Sequence, residues 1–199
     1  MAQFPDFVRI VEVGARDGLQ NEAAVSTQDK VDLINALAEA GLKDIEAGAF
    51  VSPKWVPQMA DSSDVISALN LQDVNLSALT PNLRGAEAAK LVGIQEFAIF
   101  TAASEAFCQK NINCSIDESI DRFKDVMDFA KANNIRVRGY VSCVMGCPYQ
   151  GDVDYNDVLN VSERLLELGC YEISLGDTIG VGTAKKVDEL LDLLLQHID

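Results

Sequence analysis

The segment VRIVEVGARDGLQNE, residues 8–22, sets the pattern that the rest of the chain repeats. It begins as an apolar strand, breaks at Gly14, and then places Arg16 and Asp17 side by side on a loop ahead of Gly18. A cation and an anion where a buried strand surfaces make a seat for a metal ion and a substrate oxygen. The same pair on an ordinary strand–helix turn is a surface ion pair of little energetic weight, so the rest of the chain has to decide between the two.

Downstream the strand–helix unit recurs. Ser26 is placed to cap a helix on which Val31, Ile34, Leu37 and Ala38 fall at helical spacing, and Gly41 ends it. Residues 42–46 read as a second strand, followed by the long loop AGAFVSPKWVPQMADSS, which Pro53 and Pro57 stiffen and which holds the only tryptophan, Trp55. A short helix at 64–69, a strand at 74–79, a helix at 83–91 and a strand at 96–101 come next. AASEAFCQKNINC reads as another long loop, and Ser115 with Glu118 forms a capping box for the helix after it. Strands at 136–143 and 171–175 alternate with helices at 154–168 and 184–197. The junctions at 40–42, 92–94 and 168–170 each join a helix end, a glycine and a strand start.

Such strict alternation implies a parallel sheet, either a (β/α)8 barrel or a doubly wound open sheet. In the fifth strand Val137, Gly139 and Val141 share one side, while Arg138, Tyr140 and Ser142 share the other. In the sixth, Ile173 and Leu175 oppose Glu172 and Ser174. An open sheet covered by helices on both faces prefers apolar residues on both. A barrel can hold a polar set in its lumen, which favours the α/β TIM-barrel reading. A whole barrel needs about 250 residues. The 199 residues here are therefore expected to form one incomplete barrel domain, cut after the sixth βα unit.

Composition narrows the function classes. The 31 acidic and 16 basic side chains leave a net charge of −15, which argues against nucleic acid as a partner. Cys108, Cys114, Cys143, Cys147 and Cys170 are odd in number and contain no CxxC pair, so structural zinc is not expected and reduced thiols are. The opening MAQFPDFVRI has neither a signal-peptide apolar run nor an Arg-rich transit pattern, and no apolar stretch is long enough to span a bilayer. These features give the expectation of a cytoplasmic protein without a membrane partner.

Barrel sites gather at the carboxyl ends of the strands. The polar residues at those ends are Arg16, Asp17, Glu46, Thr80, Asn82, Thr101, Cys143, Asp177 and Thr178, with Arg138 and Tyr140 inside the mouth.

EVGARDGLQNE (12–22), FVSPKWVPQMAD (50–61), LTPNLRG (79–85), ASEAFCQKNINCSIDES (103–119), VRGYVSCVMGCPYQG (137–151) and GCYEISLGDTIGVGT (169–183) run in order through nearly the whole chain. Together they resemble the hydroxymethylglutaryl-CoA lyases, TIM-barrel members of the metal-dependent lyase and Claisen-synthase superfamily. Leu19 stands where the related isopropylmalate and homocitrate synthases usually carry an acidic residue.

The resemblance implies a retro-Claisen cleavage of 3-hydroxy-3-methylglutaryl-CoA into acetyl-CoA and acetoacetate, a step of leucine and ketone-body catabolism. It further implies Asp17 as a ligand of Mg²⁺ or Mn²⁺, Arg16 against the thioester carbonyl, Glu46 orienting Arg16, and Asp177 relaying or positioning a proton. Gln20, Arg138, Tyr140, Ser174 and Thr178 are implied as substrate-side residues. Asn111 to Asn113 and the SPKW loop would shape the acyl-CoA entrance. Cys143 and Cys147 are expected to be small buried fillers.

The family's His-x-His strand, a further asparagine ligand and a glycine-rich loop with a reactive cysteine have no counterpart here, and His197, the only histidine, is not expected to bind metal. The polypeptide alone is therefore expected to be inactive and prone to self-association, with the complete protein a homodimer. The alternatives are another acyl-CoA lyase or Claisen-type acyltransferase of the superfamily, or a non-catalytic acyl-CoA-binding remnant.

Overall fold

The computed structural model describes residues 6–198, which divide into two compact units. The leaderless opening expected from the sequence lies partly in residues 1–5, outside the described residues.

The first unit runs to Thr80 and includes Arg84–Phe97. Its strands β1 (Val11–Glu12), β2 (Asp44–Ala49) and β3 (Asn75–Leu79) pair in parallel, with Val11 opposite Asp44 and Ile45 opposite Leu76. β1 is much shorter than the apolar run suggested. Val8 and Ile10 are exposed rather than paired. Helix α1 (Thr27–Glu39) starts where expected, with Ser26 Oγ accepting from the Asp29 amide at 3.2 Å, and Gly41 follows it at φ 98°.

All six residues of β2 are buried. Its register with β3 shifts between Glu46 and Gly48, a bulge of the kind that re-aims a side chain beside a site. Only glycine fits at 48: a Cβ there would lie 2.7 Å from Ser62 Oγ. That hydroxyl is itself committed, accepting from the Ala49 amide and donating to the Met59 carbonyl. Helices α2 (Ser62–Ala68) and α3 (Leu83–Leu91) follow β2 and β3.

The second unit holds Pro81–Leu83 and everything from Ala98 onward. β4 (Glu96–Ala102) leads into α4 (Glu105–Ile112), which replaces the expected long loop. The reason is local. Ser104 caps the helix by accepting from the Phe107 amide at 3.1 Å, and Asn113 closes it in the left-handed region at φ 51°. α5 (Ile116–Ala132) opens with the expected capping box between Ser115 and Glu118.

β5 (Arg136–Ser142) and β6 (Glu172–Leu175) pair in parallel, with Tyr140 opposite Ser174. α6 (Tyr155–Leu168) and α7 (Ala184–Leu194) complete the unit, and α7 ends earlier than the sequence pattern suggested. Phe123, Val126, Val137, Val141, Leu165 and Leu190 are the buried apolar residues that hold these elements together. Among the described residues, no helix is long and apolar enough to cross a membrane.

Candidate active site

The residues after β1 do not form an open loop. Gly14–Gly18 is a single π-helical turn in which the amides of Arg16, Asp17 and Gly18 all converge on the Val13 carbonyl, at 3.1, 2.7 and 3.3 Å. Such turns recur at functional sites because they rotate side chains away from regular spacing. This one turns Arg16 inward and leaves Asp17 outward: the Arg16 side chain is 9% exposed and that of Asp17 56%.

Arg16 Nε donates to Glu46 Oε1, on a side chain with no solvent exposure. Its Nη1 lies 2.8 Å from Asp17 Oδ1 and 3.4 Å from Gln20 Oε1, and Gln20 Nε2 reaches the same Asp17 oxygen at 3.4 Å. Four expected site residues thus meet in one cluster. A buried carboxylate is tolerable only against a cation, and the Arg16–Glu46 pair satisfies that condition.

A polar layer lies beneath the β2 exit. Lys30 is buried in α1, 2.6 Å from Asp61 Oδ1, and also donates to the Gln58 carbonyl. Burial pushes the Asp61 carboxyl up, but hydrogen bonds from Lys30 and Thr27, with the Lys30 charge, outweigh it and hold the group below the usual range. Gln58 binds the Ala23 carbonyl at 2.8 Å and the Val25 amide at 3.2 Å, so the loop after β2 is stitched to the segment that follows Gln20. Sequence reading did not single out Lys30. The available signal was a lysine at the head of the helical stripe that continues through Ile34 and Leu37.

In the second unit, Asp177 is exposed and accepts from the amides of Val181 at 3.1 Å and Gly182 at 2.7 Å. Thr178 Oγ1 accepts from the Cys143 amide at 2.8 Å, and Cys143 has φ 63°. The two residues therefore fasten the loop after β6 and the exit of β5. Arg138 lies in the amino-terminal half of β5, buried, 3.0 Å from Glu172 Oε1 and 3.3 Å from the Tyr171 hydroxyl. Burial lowers its basicity, but Tyr171, Glu172 and Tyr140 raise it by more.

Cys143 and Cys147 are buried, as expected, but they are not alike. Burial pushes the Cys143 thiol up to about 12. Burial also raises Cys147, yet the Ser104 hydroxyl at 3.0 Å and the Gln150 and Tyr149 amides overcome it and leave that thiol below its ordinary value. None of the expected site residues lines the cavity of about 290 Å³ bounded by Glu105, Asp117, Gln150 and Arg164.

Residues 7–199 match the family described as HMGL-like. The mitochondrial hydroxymethylglutaryl-CoA lyase of Gallus gallus is 53% identical over 98% of this chain, which covers 66% of that protein. The crystal structure of hydroxymethylglutaryl-CoA lyase from Pseudomonas aeruginosa matches with a TM-score of 0.95 at 53% identity, covering 98% of this chain and 65% of that one. A structure of an HMG-CoA lyase from Acinetobacter baumannii in complex with coenzyme A and 3-methylmalate matches with a TM-score of 0.92 at 32% identity, over 100% of this chain and 66% of that one.

The fold is thus a (β/α)8 barrel represented through its sixth βα unit, as the strand alternation implied, and the chain spans about two thirds of the length of these relatives. The expectation of a cytoplasmic protein is corrected. The Gallus gallus and Bos taurus relatives are mitochondrial, although one from Danio rerio is cytoplasmic.

Proposed function

Because the chain belongs to the HMGL-like family, we propose that it supplies the amino-terminal part of a single-domain barrel enzyme that cleaves 3-hydroxy-3-methylglutaryl-CoA. In the proposed reaction the C3 hydroxyl loses its proton and the C2–C3 bond breaks. The C3 oxygen becomes the ketone of acetoacetate, and the bonding pair moves onto the thioester as an enolate. A proton returned to C2 then yields acetyl-CoA. The complex of the Acinetobacter baumannii relative with coenzyme A supports an acyl-CoA substrate.

The observation that carries this reading is the Arg16–Glu46 pair. A guanidinium locked to a buried carboxylate at a strand exit is a preorganised donor for the oxygen on which enolate charge develops. One such donor is typically worth ~2.7–4 kcal/mol of barrier. Glu46 fixes the rotamer of Arg16, and Gln20 braces both Arg16 and Asp17. Arg138, Tyr140 and Ser174 are assigned to the substrate side of the second unit. Asp177 and Thr178 position the β6 loop through the amides they hold.

Asp17 is the residue assigned to a divalent cation, Mg²⁺ or Mn²⁺. An exposed carboxylate fits a hard ion that takes oxygen ligands. Among the described residues, no group of three or more His, Cys, Asp or Glu comes together as a metal site, so Asp17 would be one ligand of a set completed elsewhere. When bound, such a cation supplies Lewis-acid polarisation of the substrate's oxygens.

The test is a lyase assay with Mg²⁺ on residues 1–199 alone and on a chimera completed with the carboxyl-terminal third of the Pseudomonas aeruginosa lyase. The chimera is expected to turn over and the shorter chain is not. Arg16→Met in the chimera is expected to slow it by roughly 100-fold or more. Turnover by the short chain, or an unimpaired Arg16→Met chimera, overturns the reading.

A further inference from the structure

We propose that Lys30 is a positioning residue for Arg16 and Asp17, acting through Gln58 on the strap at residues 19–26 that joins their turn to α1. This inference rests on the lyase reading above and adds a residue that lies outside the Arg16–Glu46 cluster.

Lys30 is 4% exposed. A lysine is almost never so buried unless it is paired, and a buried ion pair often stabilises no more than a well-packed apolar side chain of similar volume. The other buried residues of α1, Val31 and Ile34, are apolar. Packing alone therefore does not call for a cation at position 30, and the contacts of the ammonium show what it does. Nζ lies 2.6 Å from Asp61 Oδ1 and donates to the Gln58 carbonyl. Asp61 Oδ2 accepts from Thr27 Oγ1 at 2.7 Å, in the first turn of α1. One buried ammonium thus fixes the backbone at Gln58 against the start of α1.

Gln58 passes that constraint on. Its Nε2 donates to the Ala23 carbonyl at 2.8 Å, and its Oε1 accepts from the Val25 amide at 3.2 Å. Side-chain packing does little to hold the strap, because Asn21, Glu22, Ala23 and Ala24 are all exposed. Its other end is the turn itself. The Leu19 amide bonds to the Gly14 carbonyl and the Gln20 amide to the Arg16 carbonyl, both at 3.0 Å. The Gln20 side chain then reaches both Arg16 and Asp17. A path of hydrogen bonds and short backbone therefore runs from Lys30 through Gln58 and the strap to the two residues assigned to the chemistry. Misplacing a reacting group by about 1 Å can cost about 100-fold in rate, so a strap released at Gln58 is felt at Arg16.

Lys30→Met and Gln58→Met cut the path at its two joints without adding charge. Hydrogen exchange followed by mass spectrometry on residues 1–199 reads the strap directly. In both variants the amides of residues 19–25 are expected to exchange roughly tenfold faster than in the parent chain, while β2 and β3 keep their rates. Faster exchange throughout shows that Lys30 supports the fold as a whole, and unchanged exchange in the strap shows that it does not hold it; either overturns the proposal. In the chimera, each variant is expected to lower kcat roughly tenfold with KM for the thioester within about twofold. The double variant should lose no more than the larger single one. An unchanged kcat, or losses that multiply, overturns the assignment. If the parent chimera does not turn over, the lyase reading falls, and strap exchange alone decides whether Lys30 positions the turn.

Discussion

Arg16 and Glu46 lie thirty residues apart in sequence and meet through a hydrogen bond from Nε to a carboxylate that solvent does not reach. Their partnership joins the turn after β1 to the middle of β2, and it orients the group on which the proposed chemistry depends. Removing Glu46 takes the buried carboxylate from Arg16 Nε, while the guanidinium keeps its contacts to Asp17 and Gln20. Glu46→Ala is therefore expected to destabilise the chain by ~1–3 kcal/mol. In denaturant titrations, adding Arg16→Met to Glu46→Ala should cost less than the two single changes summed. Strict additivity would show that the pair does not act as a unit.

Asp61 predicts the direction of one acid-sensitive contribution. Its carboxyl is held below the unperturbed value of 3.8 in the folded chain. A depressed folded-state value stabilises at pH above the unfolded value. That contribution is lost as pH falls from the unfolded value through the folded one. Unfolding midpoints measured between about pH 5 and pH 2 should fall less steeply for Asp61→Asn than for the parent chain. Parallel curves would remove Asp61 from the account of acid stability.

Thiol reactivity should separate the buried cysteines. Cys143 and Cys170 are both pushed up to about 12 by burial, whereas Cys147 is held down by its hydrogen bonds. Alkylation follows thiolate character, so peptide mass spectrometry after limited iodoacetamide treatment should find Cys147 modified before Cys143 and Cys170. Ser104→Ala removes the 3.0 Å hydroxyl contact and should slow that modification. Earlier labelling of Cys143 would contradict the assignment.

Helix α7 and the Leu195 that caps its end expose Val187, Leu191 and Leu195, spaced four residues apart, at 39%, 37% and 62%. An apolar stripe of this kind promotes association. Sedimentation velocity on residues 1–199 is expected to show concentration-dependent self-association that Leu191→Glu with Leu195→Glu reduces. Monomeric behaviour of the parent chain at all concentrations would count against it.

Much of this was legible in the residues. The Ser26 cap, the Ser115–Glu118 capping box and the limits of α3 follow from side chains acting within one or two turns. Alternating polar and apolar positions in β5 and β6 pointed to a barrel rather than an open sheet, and the solved relatives agree. α4 was missed because its Ser104 cap lies inside a stretch whose asparagines and cysteines look like loop. The length of β1 was overestimated because apolar residues 8–10 imitate a strand without a partner to pair them.

The sequence alone therefore determined the order of the strands and of the α-helices other than α4, and which charged residues stand at strand ends. These depend on local propensity and periodicity, which short segments carry by themselves. The tertiary structure alone decided that Arg16 turns inward onto Glu46 while Asp17 turns out, that Lys30 is buried under the Trp55 loop, and that Cys147 differs from Cys143. Each of these is an encounter between side chains far apart in the chain. Their energies depend on burial and on hydrogen-bond partners that exist only once the elements have packed.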